Sequence, residues 1–506
     1  VNAVGEVGDM VWDSNGGEDY YVRVHSLIRD VYTDKSRYNP GDTATITVEL
    51  FHANGTNTVQ AEIHVRLMQL FTNIATFSTN VVLANDSGTN LNFAWTVPSH
   101  DFRGYGVDVD LVDGGVVRDR RSTAIDVSTD WTKFPRYGFF SDYYEGEQAN
   151  DSSNKVKALS KYHINAAQFY DWMWEHDRLI KYDCEGNVID LYEQIDGRTQ
   201  SFKTVSNKVS AAWSRNMFPM AYSLVYGDSG IGEAPDHPEW AAYTQPWATA
   251  PNLVRQHNLA GFNPPRAIWV MDVSNPEWKG FIFNQFKDAI TKLNFGGMHL
   301  DNLGGSSNYR YNSDSAIFEW IDFPSFINDS RAAIREVRAD ARVIHNDVAG
   351  NYLTDIARSQ EDVYYMEVWG NEHYRDIQQA IRNAKAASGG AKQVVLAAYM
   401  NLFNYSNYVS EASVRLMDAA TFANGAFRIE LGEGVDYLTN HYFPMHWPTA
   451  RESLKRALRA YYSFVVRYEN LLFYNTLGNV TDATDAALTY SSTDALSKDG
   501  QSGTIW

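Results

Sequence analysis

An immunoglobulin-like β-sandwich, then a (β/α)8 TIM barrel, then the start of a C-terminal β domain is the multidomain organisation this sequence predicts. Three observations predict it. Short alternating strands separated by turn residues fill residues 20–130. Eight apolar, strand-like runs separated mostly by amphipathic segments follow over residues 131–472. Two of those runs, Gly297-Met-His-Leu-Asp-Asn-Leu-Gly304 and Val363-Tyr-Tyr-Met-Glu-Val-Trp-Gly370, carry a carboxylate at the strand end and then meet glycine. A buried parallel strand reads as a near-continuous hydrophobic run. Acids at its C-terminal end lie where barrels and open α/β sheets build their active sites.

The elements follow in order. Residues 1–19 are rich in Gly and Asp and read as a flexible segment. Ala44–Leu50 and Ala61–Leu67 alternate with a period of two, and Asn39-Pro-Gly-Asp42, Ala53-Asn-Gly55 and Asp113-Gly-Gly115 supply turns, the pattern of an antiparallel sandwich. The barrel strands are expected at Tyr137–Tyr143, Ile164–Trp172, Phe218–Tyr226, Gly297–Leu303, Val343–Val348, Val363–Val368, Val394–Asn401 and Ala426–Leu431. Phe323–Ala339 and Tyr374–Ala387 are intervening helices, Asp236–Gln256 is an excursion at the barrel mouth, and Thr449–Leu472 is the last barrel helix. Residues 473–506 hold weak strand pattern and read as part of a further β domain.

Composition narrows the partners. A 506-residue chain implies two or three domains, and 44% hydrophobic residues permit a large core. The net charge of −19 argues against nucleic acid and anionic membranes, whose binding needs clustered Lys and Arg. The aromatic content of 14% suits stacking on sugar rings as well as core packing. A lone cysteine, Cys184, excludes an intrachain disulfide and sits in a polar stretch unsuited to a catalytic thiol. No run of 18 or more apolar residues marks a membrane span, and no signal peptide opens the chain, which begins at Val1 as a processed product would. Secretion is the expectation. Sequons at Asn54, Asn85, Asn150, Asn328, Asn404 and Asn479 are too common by chance to assign a host.

Asp301 and Glu367 carry the chemistry. Each alone could be a structural carboxylate capping a loop, and Glu372 competes with Glu367 from a polar loop. Together they end the fourth and sixth strands and open onto one barrel mouth. Two carboxyls about 5–5.5 Å apart suffice for retaining glycoside hydrolysis: one attacks the anomeric carbon, the other protonates the leaving oxygen and then deprotonates water. The aromatic neighbours Tyr364, Tyr365 and Trp369 would raise the acid's pKa by lowering local polarity. At Gln168-Phe-Tyr-Asp-Trp-Met-Trp174, Asp171 could bind sugar hydroxyls while Trp172 stacks, the alternative being a core aromatic cluster with a capping Asp. His299 lies two residues before Asp301, on the same face of its strand. Asp272 could face the site or cap a loop. Asn346 is a better sugar ligand than Asp347, and Glu430 and Glu433 suit structural roles at least as well.

Gln168-Phe-Tyr-Asp-Trp172, Met220-Ala-Tyr-Ser-Leu-Val-Tyr-Gly227, Gly297–Gly304, Tyr365-Met-Glu-Val-Trp369, Arg428-Ile-Glu-Leu-Gly432 and His441-Tyr-Phe-Pro444 together resemble glycoside hydrolase family 66, over about residues 25–475 and in the family's order. That family contains endo-dextranases and cycloisomaltooligosaccharide glucanotransferases. The resemblance implies a retaining enzyme acting on α-1,6-linked glucan (dextran and isomaltooligosaccharides), with Asp301 as nucleophile, Glu367 as acid/base and Asp171 as a subsite carboxylate. Tyr170, Tyr222, Asn302 and Trp369 fall within the same motifs and are expected substrate contacts. No cofactor or metal is expected, since there is no HExxH, no CxxC pair, no P-loop and no Ca²⁺-loop pattern; a monomer is expected. Cyclising members carry a carbohydrate-binding module inserted in the barrel, whereas the loop from Asn401 to Asn424 is short here, which favours plain hydrolysis to linear products. Intramolecular transglycosylation is the alternative, and a non-catalytic glucan-binding protein a remote one.

Overall fold

A computed structural model of the chain describes residues 10–13, 20–23, 26–53, 57–229, 233–259, 266–304, 307–369, 373–399, 409–445 and 450–473. The fold is β-rich and divides into two compact units: Val1–Asp130 with Ser160–His163 and Arg456–Leu471, and Trp131–Leu159 with Ile164–Lys455 and Leu472–Trp506.

In the first unit, Ile28–Thr33, Thr43–His52 and Ser87–Thr96 form a three-stranded sheet with Thr43–His52 central. Thr72–Leu83, Val59–Gln69, Arg103–Asp113 and Val116–Val127 form a four-stranded sheet in that spatial order. Every pairing in both is antiparallel. The period of two explains the core: Ala44, Ile46, Val48 and Leu50 are buried while Thr45, Thr47 and Glu49 between them are only half-buried. They share one hydrophobic cluster with Ile63, Val65, Val107 and Val109 of the larger sheet. Ahead of it, Met10–Asp13 pairs antiparallel with Tyr20–Arg23, so part of the segment read as flexible is a two-stranded ribbon; Met-Val-Trp and Tyr-Tyr-Val favour strand over loop.

The last long helix spans Glu452–Arg467, with a short helix at Glu469–Leu472; Thr449 lies outside the described residues. Leu454, Leu458 and Val465 are buried as their spacing demands, and Tyr462 rather than Tyr461 completes the buried stripe. The sequence assigns this helix to the strand–helix repeats. The structure places its larger part in the first unit, where Arg459 meets Asp30 at 3.0 Å and Arg467 meets Asp108 at 2.8 Å.

The second unit is built on a curled parallel sheet. Its strands are Tyr137–Phe140, Ala166–Phe169, Phe218–Leu224, Gly297–Asp301, Arg342–Val348, Val363–Glu367, Val394–Ala397 and, in two pieces, Phe427–Arg428 with Leu431–Gly432. Each pairs with the next in chain order. Phe427 and Arg428 pair with Val395 and Leu396, whereas Gly432 pairs with Phe139, so the last strand also meets the first. Several strands are shorter than the apolar runs that announce them. Tyr143, Tyr170, Trp172 and Tyr226 are buried but lie beyond the ladder; an apolar run reports burial, and burial continues into the loops.

Between the third and fourth strands the chain makes a separate antiparallel sheet from Gly227–Asp228, Arg266–Val270 and Gln256–Leu259. Pro276–Leu293 then begins with Asn275 accepting from the amides of Glu277 and Trp278, a side-chain N-cap with proline in the first turn. Tyr374–Ala387 is helical over the span its 3.6 period marks, burying Ile377, Ile381 and Ala384.

The fourth strand enters the sheet at Gly297, opposite Arg342. A Cβ there would stand 2.0 Å from the Arg342 carbonyl oxygen, a collision of backbone that no rotamer relieves. Gly297→Ala is expected to lower stability by about 1–3 kcal/mol and to reduce activity with it, checked by chemical denaturation; unchanged stability would show that the strand can shift freely at this point.

Candidate active site

Parallel pairing aligns the C-terminal ends of the third to sixth strands, and their last side chains converge. Leu224 stands opposite Asp301 in register, and Val348 opposite Glu367. Tyr222 donates its hydroxyl to Asp301 Oδ2 at 2.8 Å. Asn346 Nδ2 donates to Asp301 Oδ1 at 2.8 Å and reaches Glu367 Oε2 at 3.4 Å. Tyr399, beyond the seventh strand, donates to Glu367 Oε1 at 2.8 Å. One amide nitrogen therefore touches both carboxylates, and those two oxygens can be no farther apart than its two reaches together.

Burial raises both acids. Burial pushes Asp301 up to about 6, the charge on Glu367 pushes the same way, and the donors Asn346 and Tyr222 pull it down. Glu367 is also raised, chiefly by burial, against hydrogen bonds from Trp369, Tyr399 and Asn346. Two anions this close oppose each other's ionisation. Both carboxyls are therefore held above the ordinary carboxylate range, each against its own donors.

The chain as a whole has relatives among known proteins. The family model of Glycosyl hydrolase family 66 matches residues 33–506. The chain belongs to that family. It is 28% identical to a cycloisomaltooligosaccharide glucanotransferase of Niallia circulans, over 95% of this chain and 62% of the relative. It is 24% identical to a dextranase of Streptococcus salivarius, over 78% of this chain and 53% of the relative. The chain thus spans less than two thirds of the length of either relative. Among solved structures it resembles a Paenibacillus cycloisomaltooligosaccharide glucanotransferase complexed with cycloisomaltoheptaose, with a TM-score of 0.81, 26% identity, and coverage of 88% of this chain and 82% of that one. Membership of the family makes the protein a glycoside hydrolase in class.

The other expected residues sort by what they touch. Tyr170 packs against Tyr222 with ring centroids 4.4 Å apart and the rings tilted by 35°, so it belongs to the wall beside Asp301. Asp171 is buried in a left-handed backbone (φ 47°), which Asp tolerates. Burial raises it to about 7 against the Arg198 guanidinium, with Asp196 and Asp301 adding to the rise and Gln194 opposing it; it is within electrostatic reach of Asp301. Trp369 is half-buried, bonds Glu367 and lies 5.6 Å from the His441 ring. His299 is buried beneath this layer, its Nδ1 3.0 Å from the Tyr137 hydroxyl; burial pushes it down to about 3, so it is a neutral core histidine.

Four expected contacts are structural instead. Trp172 is fully buried, its indole donating to the Tyr222 carbonyl at 3.1 Å and packing 5.0 Å from Phe295, so it offers no face to a sugar. Asp272 caps a loop, accepting from Ser274 and pairing with Arg310 at 3.2 Å. Asn302 ties the strand end to the Asn346 carbonyl at 2.7 Å and to the Gly304 amide at 2.9 Å. Glu430 is enclosed with Arg428, which also pairs with Asp418 at 2.6 Å, and all three are buried in one ion cluster. Glu372 and residues 401–408 lie outside the described residues, and the remainder of the Asn401–Asn424 stretch, expected as a loop, is mostly the helix Glu411–Ala423.

Two residues were not singled out from sequence. Tyr399 hides in the apolar Val394–Asn401 run, where an aromatic reads as core. His441 stands in the His-Tyr-Phe-Pro motif, and Asp301's charge acts on it against the burial that lowers its pKa. Removing the Tyr222 hydroxyl takes a donor from Asp301 and raises its carboxyl further. Tyr222→Phe should therefore shift the acidic limb of the kcat/KM–pH profile to higher pH with the alkaline limb unmoved; an unmoved acidic limb would show that Asp301 does not set it.

Proposed function

We propose that the protein is a retaining endo-hydrolase of α-1,6-glucosidic linkages in dextran, releasing isomaltooligosaccharides. The observation that carries this reading is the Asn346 amide shared by Asp301 and Glu367. Asp301 carboxylate attacks the anomeric carbon while the Glu367 carboxyl gives its proton to the glycosidic oxygen, and the C–O bond to the leaving chain breaks. Glu367, now a carboxylate, takes a proton from water. That water attacks the anomeric carbon, breaks the ester to Asp301 and restores both groups with retained configuration. Asn346 Oδ1 is buried and has no hydrogen-bond partner among the described residues. The same reading takes the first unit as an immunoglobulin-like sandwich, the second as a (β/α)8 barrel, and the enzyme as a secreted monomer.

The stronger similarity to glucanotransferases favours a second reading, intramolecular transfer to give cyclic products. Chemistry up to the glycosyl-enzyme would be the same, and only the acceptor would differ. Against it, the alignment to the Niallia circulans relative runs over 619 residues, longer than this 506-residue chain, so the relative contains stretches this chain lacks.

Chromatography of products from dextran separates the readings. Linear isomaltooligosaccharides with an early fall in viscosity are expected. Predominantly cyclic products would move the assignment to the transferase, and intact dextran would remove both.

A further inference from the structure

Trp247 combines two properties that rarely occur together. Its side chain is 63% exposed, and its backbone is left-handed, with φ 59°. Asn and Asp reach that region easily and Gly without strain; a bulky aromatic does so only when its surroundings impose it. Here they do. Trp247 N donates to the Ser313 carbonyl at 2.8 Å, and Asn312 N donates to the carbonyl of Ala248 at 2.9 Å. Nearby, Tyr243 and Tyr309 exchange both backbone hydrogen bonds at 2.8 Å. These bonds zip the segment after the third parallel strand to the segment after the fourth, whose last residue is Asp301. Both segments leave the C-terminal ends of their strands, the end of the sheet that carries Asp301 and Glu367. The backbone strain buries nothing, because the indole it positions faces solvent.

We infer that Trp247 is a stacking platform for a glucose unit of the glucan chain remote from the scissile bond. This rests on the glucan-active reading of the Asp301–Glu367 site and adds a subsite to it. The indole face is flat and apolar on a backbone fixed by hydrogen bonds, which suits the C–H face of a pyranose ring, and a tryptophan has few rotatable bonds to immobilise on binding. A contact away from the reacting atoms binds ground state and transition state alike, so its loss raises KM and leaves kcat in place.

The test compares wild type with Trp247→Ala and Trp247→Gly. Affinity electrophoresis in dextran gels reads binding whether or not the polymer is cleaved. Steady-state kinetics on dextran and on a short aryl isomaltoside read catalysis. The expected result is a loss of dextran retardation and a rise in KM for dextran of about tenfold, with kcat on dextran and kcat/KM on the aryl isomaltoside unchanged. Trp247→Gly should also match or exceed the wild-type melting temperature, because glycine relieves the left-handed strain. Dextran binding and KM at wild-type values in both variants would overturn the inference, as would a melting temperature lowered by Trp247→Gly together with equal losses on both substrates, which marks a structural tryptophan. A wild type that binds dextran without cleaving it would fail the hydrolase reading alone, and retardation would still decide Trp247. A wild type that neither binds nor cleaves dextran would overturn both.

Discussion

The site depends on a single neutral amide placed between two acids. Burying either Asp301 or Glu367 as an anion is costly, and placing them together adds repulsion. Asn346 offsets both costs at once by donating to Asp301 at 2.8 Å and standing 3.4 Å from Glu367. A lysine or arginine there would stabilise both acids as anions and leave no proton to donate. An apolar residue would leave both without a common partner. An amide accommodates either protonation state, and Tyr222 on one side and Tyr399 on the other each give one acid a further donor.

Parallel register supplies the geometry. Asp301, Asn346 and Glu367 come from consecutive neighbours in the sheet, so their relative heights are fixed by ladder pairing and not by loop conformation. The same alternation that points Asn346 into the site turns His345 and Asp347 away from it. His345 packs 4.9 Å from Phe323, and Asp347 accepts from the Tyr364 hydroxyl at 2.6 Å. A slip of one residue would exchange these sets. Gly297, which permits the close approach to Arg342, thereby helps set the height at which Asp301 emerges.

The sequence disclosed the strands and the acid pair because both leave strong local signals: apolar runs of a length that suits strands, ending in carboxylates before glycine. It disclosed less about residues whose role depends on what encloses them. Trp172 and Trp369 look alike in sequence, each an aromatic near a strand-end acid, yet one is fully buried and the other half-exposed beside Glu367. Glu430 ends a strand as Glu367 does, but Arg428 and Asp418 enclose it. Tyr399 reads as core until its hydroxyl is seen against Glu367. Helix boundaries follow the same logic: Tyr374–Ala387 is set by its own period, whereas the allegiance of Glu452–Arg467 is set by arginines whose partners lie far away in the chain.

The account stands on Asp301 as nucleophile and Glu367 as proton donor, and one variant tests both. Glu367→Gln keeps the shape of the site but cannot protonate a leaving group. Supplied with an isomaltosyl fluoride, whose departure needs no proton, and with azide, it should recover turnover and release the α-glycosyl azide, the configuration retained through an Asp301 ester. A β-glycosyl azide, or no recovery in a folded variant, would contradict the assignment.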